Sequence, residues 1–290
     1  MPDETASRIE PEAYTEEYYR TSVEGHAQFA ATGGREVSPR LRRALGLANV
    51  RPGQRVLDIA CGRGEVVLQS ALRGARALGI DYAQAAVDVA REALGHEERV
   101  SFARMDATRL ALRPGTFDVA FMLDFVEHVY QPELERAFEE TARSLKPGGR
   151  LIIHTSPNRL FEETVWPRYV RNVHRALLGT SKRAGVRNRF FNQWLLPAGA
   201  LPPHDEYERR LHVNPQSGGS LRSTLERHGF RVRRVDYWEP PRDLFFPANE
   251  RALNAGLALL DVVRFLRPLS LLPPLDRLFS NHVWVVAERR

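Results

Sequence analysis

The spacing of apolar positions along the chain changes several times, and each change predicts an element. Short runs rich in branched residues occur at 55–60 (RVLDIA), 76–80 (RALGI), 99–104 (RVSFAR), 117–123 (FDVAFML) and 149–155 (GRLIIHT). Each has the length and composition of a strand. Between them, 64–73, 83–94 and 131–145 take helical spacing; in the second, Ala86, Val87, Ala90, Ala93 and Leu94 fall on one face. Residues 10–31 and 38–48 also read as helices, the latter opening on Ser38 as a cap with Pro39 at the first helical position. Strands separated by helices predict an α/β fold with a doubly wound parallel sheet, because each crossover must return over the same face.

After Ser156 the rhythm breaks. Residues 157–212 carry aromatics and arginines without strand alternation and read as an inserted cap or lid. A helix at 219–228, closed by Gly229, and a strand at 230–237 resume the pattern. A second insertion, 239–280, holds six prolines and an apolar helical stretch at 252–266, and the chain ends on a strand, HVWVVAE. The expected architecture is one domain on a mostly parallel, seven-stranded sheet, with helical insertions after the fifth strand and between the last two. Its parts are N-terminal helices covering the ligand site at 1–50, a binding core at 51–156, the cap at 157–212, the remaining sheet at 213–238 and 281–290, and the second insertion at 239–280.

Composition narrows the class. The 43% apolar content is that of a globular protein. The apolar stretch near the C-terminus is broken by Asp261, Arg264, Arg267 and Pro268, short of the roughly 20 apolar residues a membrane span needs. The acidic start, MPDETASRIEPEAYTEE, has no signal-peptide core. A single cysteine, Cys61, excludes an intrachain disulfide, and no His/Cys cluster has zinc-site spacing. A cytoplasmic protein is expected, with peripheral contact at a membrane as a further expectation. The net charge is +6, and the segment from Pro157 to His212 carries ten Arg/Lys against five acids.

The candidate chemistry lies in the loop after the first strand, LDIACGRGE. In an open parallel sheet, ligands bind at the C-terminal ends of the strands, where the strand order reverses. Asp81, closing the second strand, stands where a carboxylate can accept from two ribose hydroxyls. A dinucleotide loop would need a third glycine at 67, where Val67 stands, and Glu65 at the helix start disfavours a phosphate. There is no G-x-x-x-x-G-K-[ST] loop. A nucleoside that carries positive charge and no phosphate suits the acids, while Gly62 and Gly64 let the backbone approach closely.

The ordered segments VLDIACGRGEV, GIDYA, RMDATRLAL, FDVAFMLDFVEHV and LKPGGRLIIHTSPN resemble the successive motifs of class I S-adenosylmethionine-dependent methyltransferases. They are most similar to the broad type-11 group that includes quinone-biosynthesis and small-molecule enzymes. The resemblance covers about residues 50–156, and more weakly 212–237 and the last strand. It implies S-adenosylmethionine as cofactor. It implies that Asp58, Ala60 and Gly62 line the methionine end, with Gly64 opening the helix and Cys61 fitting the turn. Asp81 would take the ribose hydroxyls, Tyr82 the adenine face, and Asp106 the adenine amino group with the Ala107 N–H beside it. Leu123 would lie near the methionyl ammonium. Three plainer roles stay open: Asp58 as a turn cap, Tyr82 as a core aromatic, and Asp106 as a helix cap.

Methyl transfer to a hydroxyl needs a positioned base, and histidine is the natural one near neutral pH. His128 in DFVEHV and His154 in IIHTSPN are the candidate catalytic residues, with His204 and His212 as further candidates. Glu127 would orient His128 or share a metal with it, but spacing shows no third ligand and no metal is expected. The acceptor expected is a small molecule, a glycan or a lipid-linked compound; the arginines among apolar residues in VWPRYVRNVHRALLG suit an amphipathic surface helix. An RNA methyltransferase is the second reading, with Arg189, Phe190, Phe191 and Trp194 to stack and grip. The [DNS]-P-P-[YFW] motif of base-methylating enzymes is absent after the fourth strand. A catalytically inactive cofactor-binding scaffold is the third.

Overall fold

The computed structural model describes residues 8–170, 211–238 and 274–290. Seven strands form one sheet: β1 (Arg55–Ile59), β2 (Arg76–Asp81), β3 (Val100–Arg104), β4 (Phe117–Leu123), β5 (Leu145–Thr155), β6 (Phe230–Asp236) and β7 (Val283–Arg289). Their order across the sheet is β3-β2-β1-β4-β5-β7-β6. The first five are parallel, and β7 runs antiparallel to both β5 and β6. The order therefore reverses between β1 and β4, which opens a crevice at the C-terminal ends of these strands.

The central strands are apolar on both faces because both are covered. Along β4, Val119 and Phe121 point to one layer and Ala120 and Met122 to the other; β1, β5 and β7 alternate likewise. On one side pack α2 (Pro39–Ala48), α3 (Glu65–Leu72) and α4 (Gln84–Leu94), through Leu45, Leu68, Val87 and Leu94. On the other pack α5 (Gln131–Ser144) and α6 (Gly218–Arg227), through Leu134, Phe138, Leu221 and Leu225.

The expected helix over 10–31 is broken. It resolves into a 3-10 turn at Pro11–Ala13, a π-helical turn at Tyr18–Ser22 and the helix α1 (His26–Thr32). Val23 is extended (φ −65°, ψ 135°) and Gly25 is left-handed at φ +80°, so the chain turns between the pieces. β5 begins earlier than the expected 149, at Leu145, with a register irregularity against β4 between Phe117 and Val119. Of the two insertions, 171–210 and 239–273 lie outside the described residues, and with them Arg189, Phe190, Phe191, Trp194, His204 and the apolar stretch at 252–266. The segment expected as a surface helix, 165–179, lies outside them beyond Val170. Among the described residues no helix is long and apolar enough to cross a membrane.

Candidate active site

A cavity of about 700 Å³ opens at the strand ends of the crevice. Asp58, Ala60, Cys61, Gly62, Asp81 and Tyr82 line it, and Asp106, Ala107, Leu123, His128 and His154 are also on its wall. Gly64 does not line it. It caps α3 in the left-handed region at φ +85°, where a Cβ would come within 2.7 Å of the Phe102 ring.

The loop after β1 is shaped by backbone conformation. Ala60 takes φ +59° and Gly62 φ +50°, so the chain turns at the end of β1, where the Cys61 N–H donates to the Ile80 carbonyl at 3.0 Å. Asp81, only 4% exposed, holds that turn: its carboxylate accepts from the Gly62 N–H at 3.2 Å and from the Ala83 N–H at 3.0 Å. Burial raises its pKa to about 6 despite these bonds. Asp58 is buried too, and burial together with the nearby Glu65 and Asp81 charges pushes its carboxyl well above the usual range. Crowded acids around a cavity favour a cationic ligand and oppose a phosphate. The sulfonium and ammonium of S-adenosylmethionine fit this set of residues. Cys61 is a buried packing group: burial first, then Asp81 and Asp58, push its thiol well up, and it lies over Gly79, where a Cβ would meet its Sγ at 2.8 Å.

Asp106 and Tyr82, both on the cavity wall, are engaged by the chain itself. Asp106 accepts from the Thr108 N–H and hydroxyl, both at 2.8 Å, in a turn, while its other oxygen pairs with Arg8 at 2.8 Å. Burial would raise this carboxyl, but the Thr108 and Arg8 bonds outweigh it and lower the pKa. The Tyr82 hydroxyl donates to the Ile9 carbonyl at 3.3 Å, with the Arg8 guanidinium 5.5 Å from its ring centre. Tyr14 and Tyr19 join Ala83, Ala86, Val89 and Leu211 in an apolar cluster beside these residues.

Arg63, between the two glycines, went unnoticed in the sequence because G-x-G reading ignores the x. It is 3% exposed and donates to the carbonyls of Tyr19 (2.9 Å), Val23 (3.2 Å) and Glu24 (2.7 Å) while pairing with Glu65 at 2.6 Å. It ties the N-terminal segment to the glycine loop after β1.

Histidines also line the cavity. The register aligns Leu123, His154 and Trp284 across β4, β5 and β7. His154 is buried, with Nδ1 2.5 Å from Asp124 Oδ1 and Nε2 2.9 Å from His282 Nδ1. A carboxylate only accepts, so Nδ1 of His154 carries the proton; in the neutral ring Nε2 then accepts from His282 Nδ1. His282 lines the cavity. Asp124 also pairs with the buried Arg40, itself bonded to Glu24 at 2.8 Å. Burial would raise the Asp124 carboxyl, but Arg40 and His154 outweigh it and hold it well below the usual range. Neither Asp124, Arg40 nor His282 was singled out from sequence; only the fold brings them to one place.

His128 Nδ1 stands 3.1 Å from the Tyr14 hydroxyl, and its ring meets that of His212 edge-on at 4.8 Å between centres. Glu127 is buried beside it; the Thr155 hydroxyl donates to its carboxylate at 2.8 Å, and burial followed by the Asp124 charge raises its pKa to about 8. Glu127, His128 and His212 bring one ligand atom each within 4.8 Å of one another. His212 is the third group that spacing could not show, because it returns from far along the chain.

Residues 57–153 match the family model described as "Methyltransferase domain". A ubiquinone biosynthesis O-methyltransferase of Alkalilimnicola ehrlichii is 39% identical over 105 residues, covering 36% of this chain and 42% of that protein. A demethylmenaquinone methyltransferase of Clavibacter sepedonicus is 34% identical over 101 residues, covering 35% of this chain and 40% of that protein. The chain thus spans only about two-fifths of these relatives' length. Among solved structures, an S-adenosylmethionine-dependent methyltransferase from Mesorhizobium loti shares the fold, with a TM-score of 0.52 at 20% identity over 87% of this chain and 96% of that one.

Proposed function

We propose that this chain, whose core is a class I S-adenosylmethionine-dependent methyltransferase domain, transfers a methyl group to a hydroxyl oxygen of a small-molecule, glycan or lipid-like acceptor. One observation carries the reading: a single cavity joins the acidic strand ends, Asp58 and Asp81, to a wall bearing His154 and His282 backed by Asp124. S-adenosylmethionine supplies an electrophilic methyl on a sulfonium. Asp81 accepts from its ribose hydroxyls, and the bound cation would favour the ionised form of the buried Asp58 at the methionine end. Tyr82, Asp106 and Ala107 bound the adenine side, and Leu123 closes the floor near the methionyl ammonium.

On the acceptor side the chain removes a proton. With Nδ1 of His282 donating to His154, Nε2 is the basic nitrogen of that ring. Proton uptake there is stabilised through His154 by the Asp124 carboxylate, as an orienting acid does for a catalytic imidazole. The acceptor oxygen then bonds the methyl carbon, and the electron pair of the broken carbon–sulfur bond stays on sulfur. His154 acts here through His282, as a positioning group. The test is transfer of labelled methyl into a cell extract fractionated into RNA, lipid and small molecules. Label in the lipid or small-molecule fraction is expected. Label confined to RNA overturns the acceptor, and no label in any fraction overturns the transferase.

A further inference from the structure

We infer that Glu127, His128 and His212 bind a divalent first-row transition-metal ion on the acceptor side of the cavity, where the ion would hold the acceptor oxygen. The role of the ion rests on the methyltransferase reading; its binding does not. The three ligand atoms lie within 4.8 Å of one another. Bonds of about 2.0–2.2 Å to a shared ion bring such atoms roughly 3–4 Å apart, so a modest contraction of side chains completes the site. Two imidazoles and one carboxylate suit manganese, iron, cobalt or zinc better than the all-oxygen preference of magnesium or calcium. Three protein ligands leave positions open for water and an acceptor oxygen, and all three residues line the cavity.

Glu127 and His128 are oriented by hydrogen-bonding neighbours of the kind that support metal sites. The Glu127 carboxylate accepts from the Thr155 hydroxyl at 2.8 Å and the Ser156 N–H at 3.4 Å. The Tyr14 hydroxyl engages Nδ1 of His128, which presents Nε2 as the ligand nitrogen. His212 is brought in by its own strand of chain: the Asn214 N–H donates to the Glu127 carbonyl at 3.0 Å, and Asn158 and Gln216 form an isolated bridge just beyond. A cation here would lower the pKa of a bound hydroxyl. The hydroxyl would give its proton to His282, and the oxygen would proceed to the transfer already described. The ion itself is neither oxidised nor reduced.

The full-length protein, stripped with chelator, should take up one Mn²⁺ or Zn²⁺ per chain in calorimetric titration. His212→Ala should weaken that uptake on the order of 10-fold to 100-fold or more, and Tyr14→Phe by about 10-fold. S-adenosylmethionine binding, measured on the same metal-free samples, should stay within a few fold and reports that the fold is intact. Glu127→Gln should also lose the ion; if it fails to fold, His212→Asn carries the test in its place. Unmodified protein that binds S-adenosylmethionine but neither ion overturns the metal site and leaves the transferase reading standing. Uptake of an ion without the nucleoside does the reverse. Equal uptake by His212→Ala also overturns the site, and reduces the three residues to a hydrogen-bonded cluster.

Discussion

His154 Nδ1 lies 2.5 Å from Asp124 Oδ1, joining the end of β5 to the first residue after β4. Asp124 is held at φ +54°, a left-handed conformation that aspartate and asparagine tolerate better than most residues. Asp124→Asn keeps that tolerance and the side-chain shape while removing the charge. Turnover should fall roughly 10²-fold or more, with affinity for S-adenosylmethionine nearly unchanged. Arg40 keeps Glu24 but loses the charge of the half-exposed Asp124, which should lower stability by about 1 kcal/mol. Initial rates with labelled cofactor and urea unfolding read the two effects separately; unaltered turnover would leave the histidine chain without a catalytic role.

Asp81 sets a pH dependence. Burial raises its pKa from the ordinary 3.8 to about 6, so it is ionised above that pH and protonated below it. Ionised, it can accept from two hydroxyls; protonated, it loses that capacity. Cofactor affinity should therefore drop as pH falls through about 6, by up to about tenfold per pH unit. Since the folded state holds this proton more tightly than the unfolded chain, Asp81 lowers the stability of the unliganded protein as pH rises from about 4 to about 6. Asp81→Asn should bind weakly and without that pH dependence, as calorimetry between pH 5 and about 8 would read.

Arg63 is expected to fasten the N-terminal segment. Arg63→Met removes its donors to three carbonyls and leaves Glu65 buried without its cation. Stability should fall by about 3 kcal/mol or more, and proteolytic cleavage between residues 8 and 25 should quicken. Urea denaturation and timed proteolysis followed by mass spectrometry test this. A variant as resistant as the parent would show that Tyr14, Tyr19 and their apolar neighbours hold the segment unaided.

Gly64→Ala should be among the most damaging small substitutions. The new Cβ meets the Phe102 ring at 2.7 Å in a backbone conformation at φ +85°, so clash and strain add. A loss of about 3 kcal/mol is expected from the two together. Gly219→Ala, with only Ser217 Oγ within contact at 3.9 Å, is the matched control and should change the melting temperature little.

The alternation of strands and helices, the helix faces and the glycine turn after β1 are readable from local pattern. Apolar runs such as FDVAFML reflect burial on both faces, and a helix like α4 shows its buried stripe in Ala86, Val87, Ala90 and Leu94. The break of the first expected helix was less legible. A left-handed Gly25 marks it, and Arg63 supplies tertiary contacts to the broken form that no local pattern shows.

By itself, the order of residues determined the sheet's make-up and the carboxylates at its strand ends, because burial on a pleated surface and turn geometry act over neighbouring residues. Which side chains face one another across the cavity was decided only by the tertiary structure. Asp124, His154 and His282 meet because β7 enters the sheet antiparallel beside β5, and His212 reaches Glu127 because a distant segment bonds to the turn after β4. Contacts between residues so far apart along the chain leave no period in it; they exist only once the sheet has set their register.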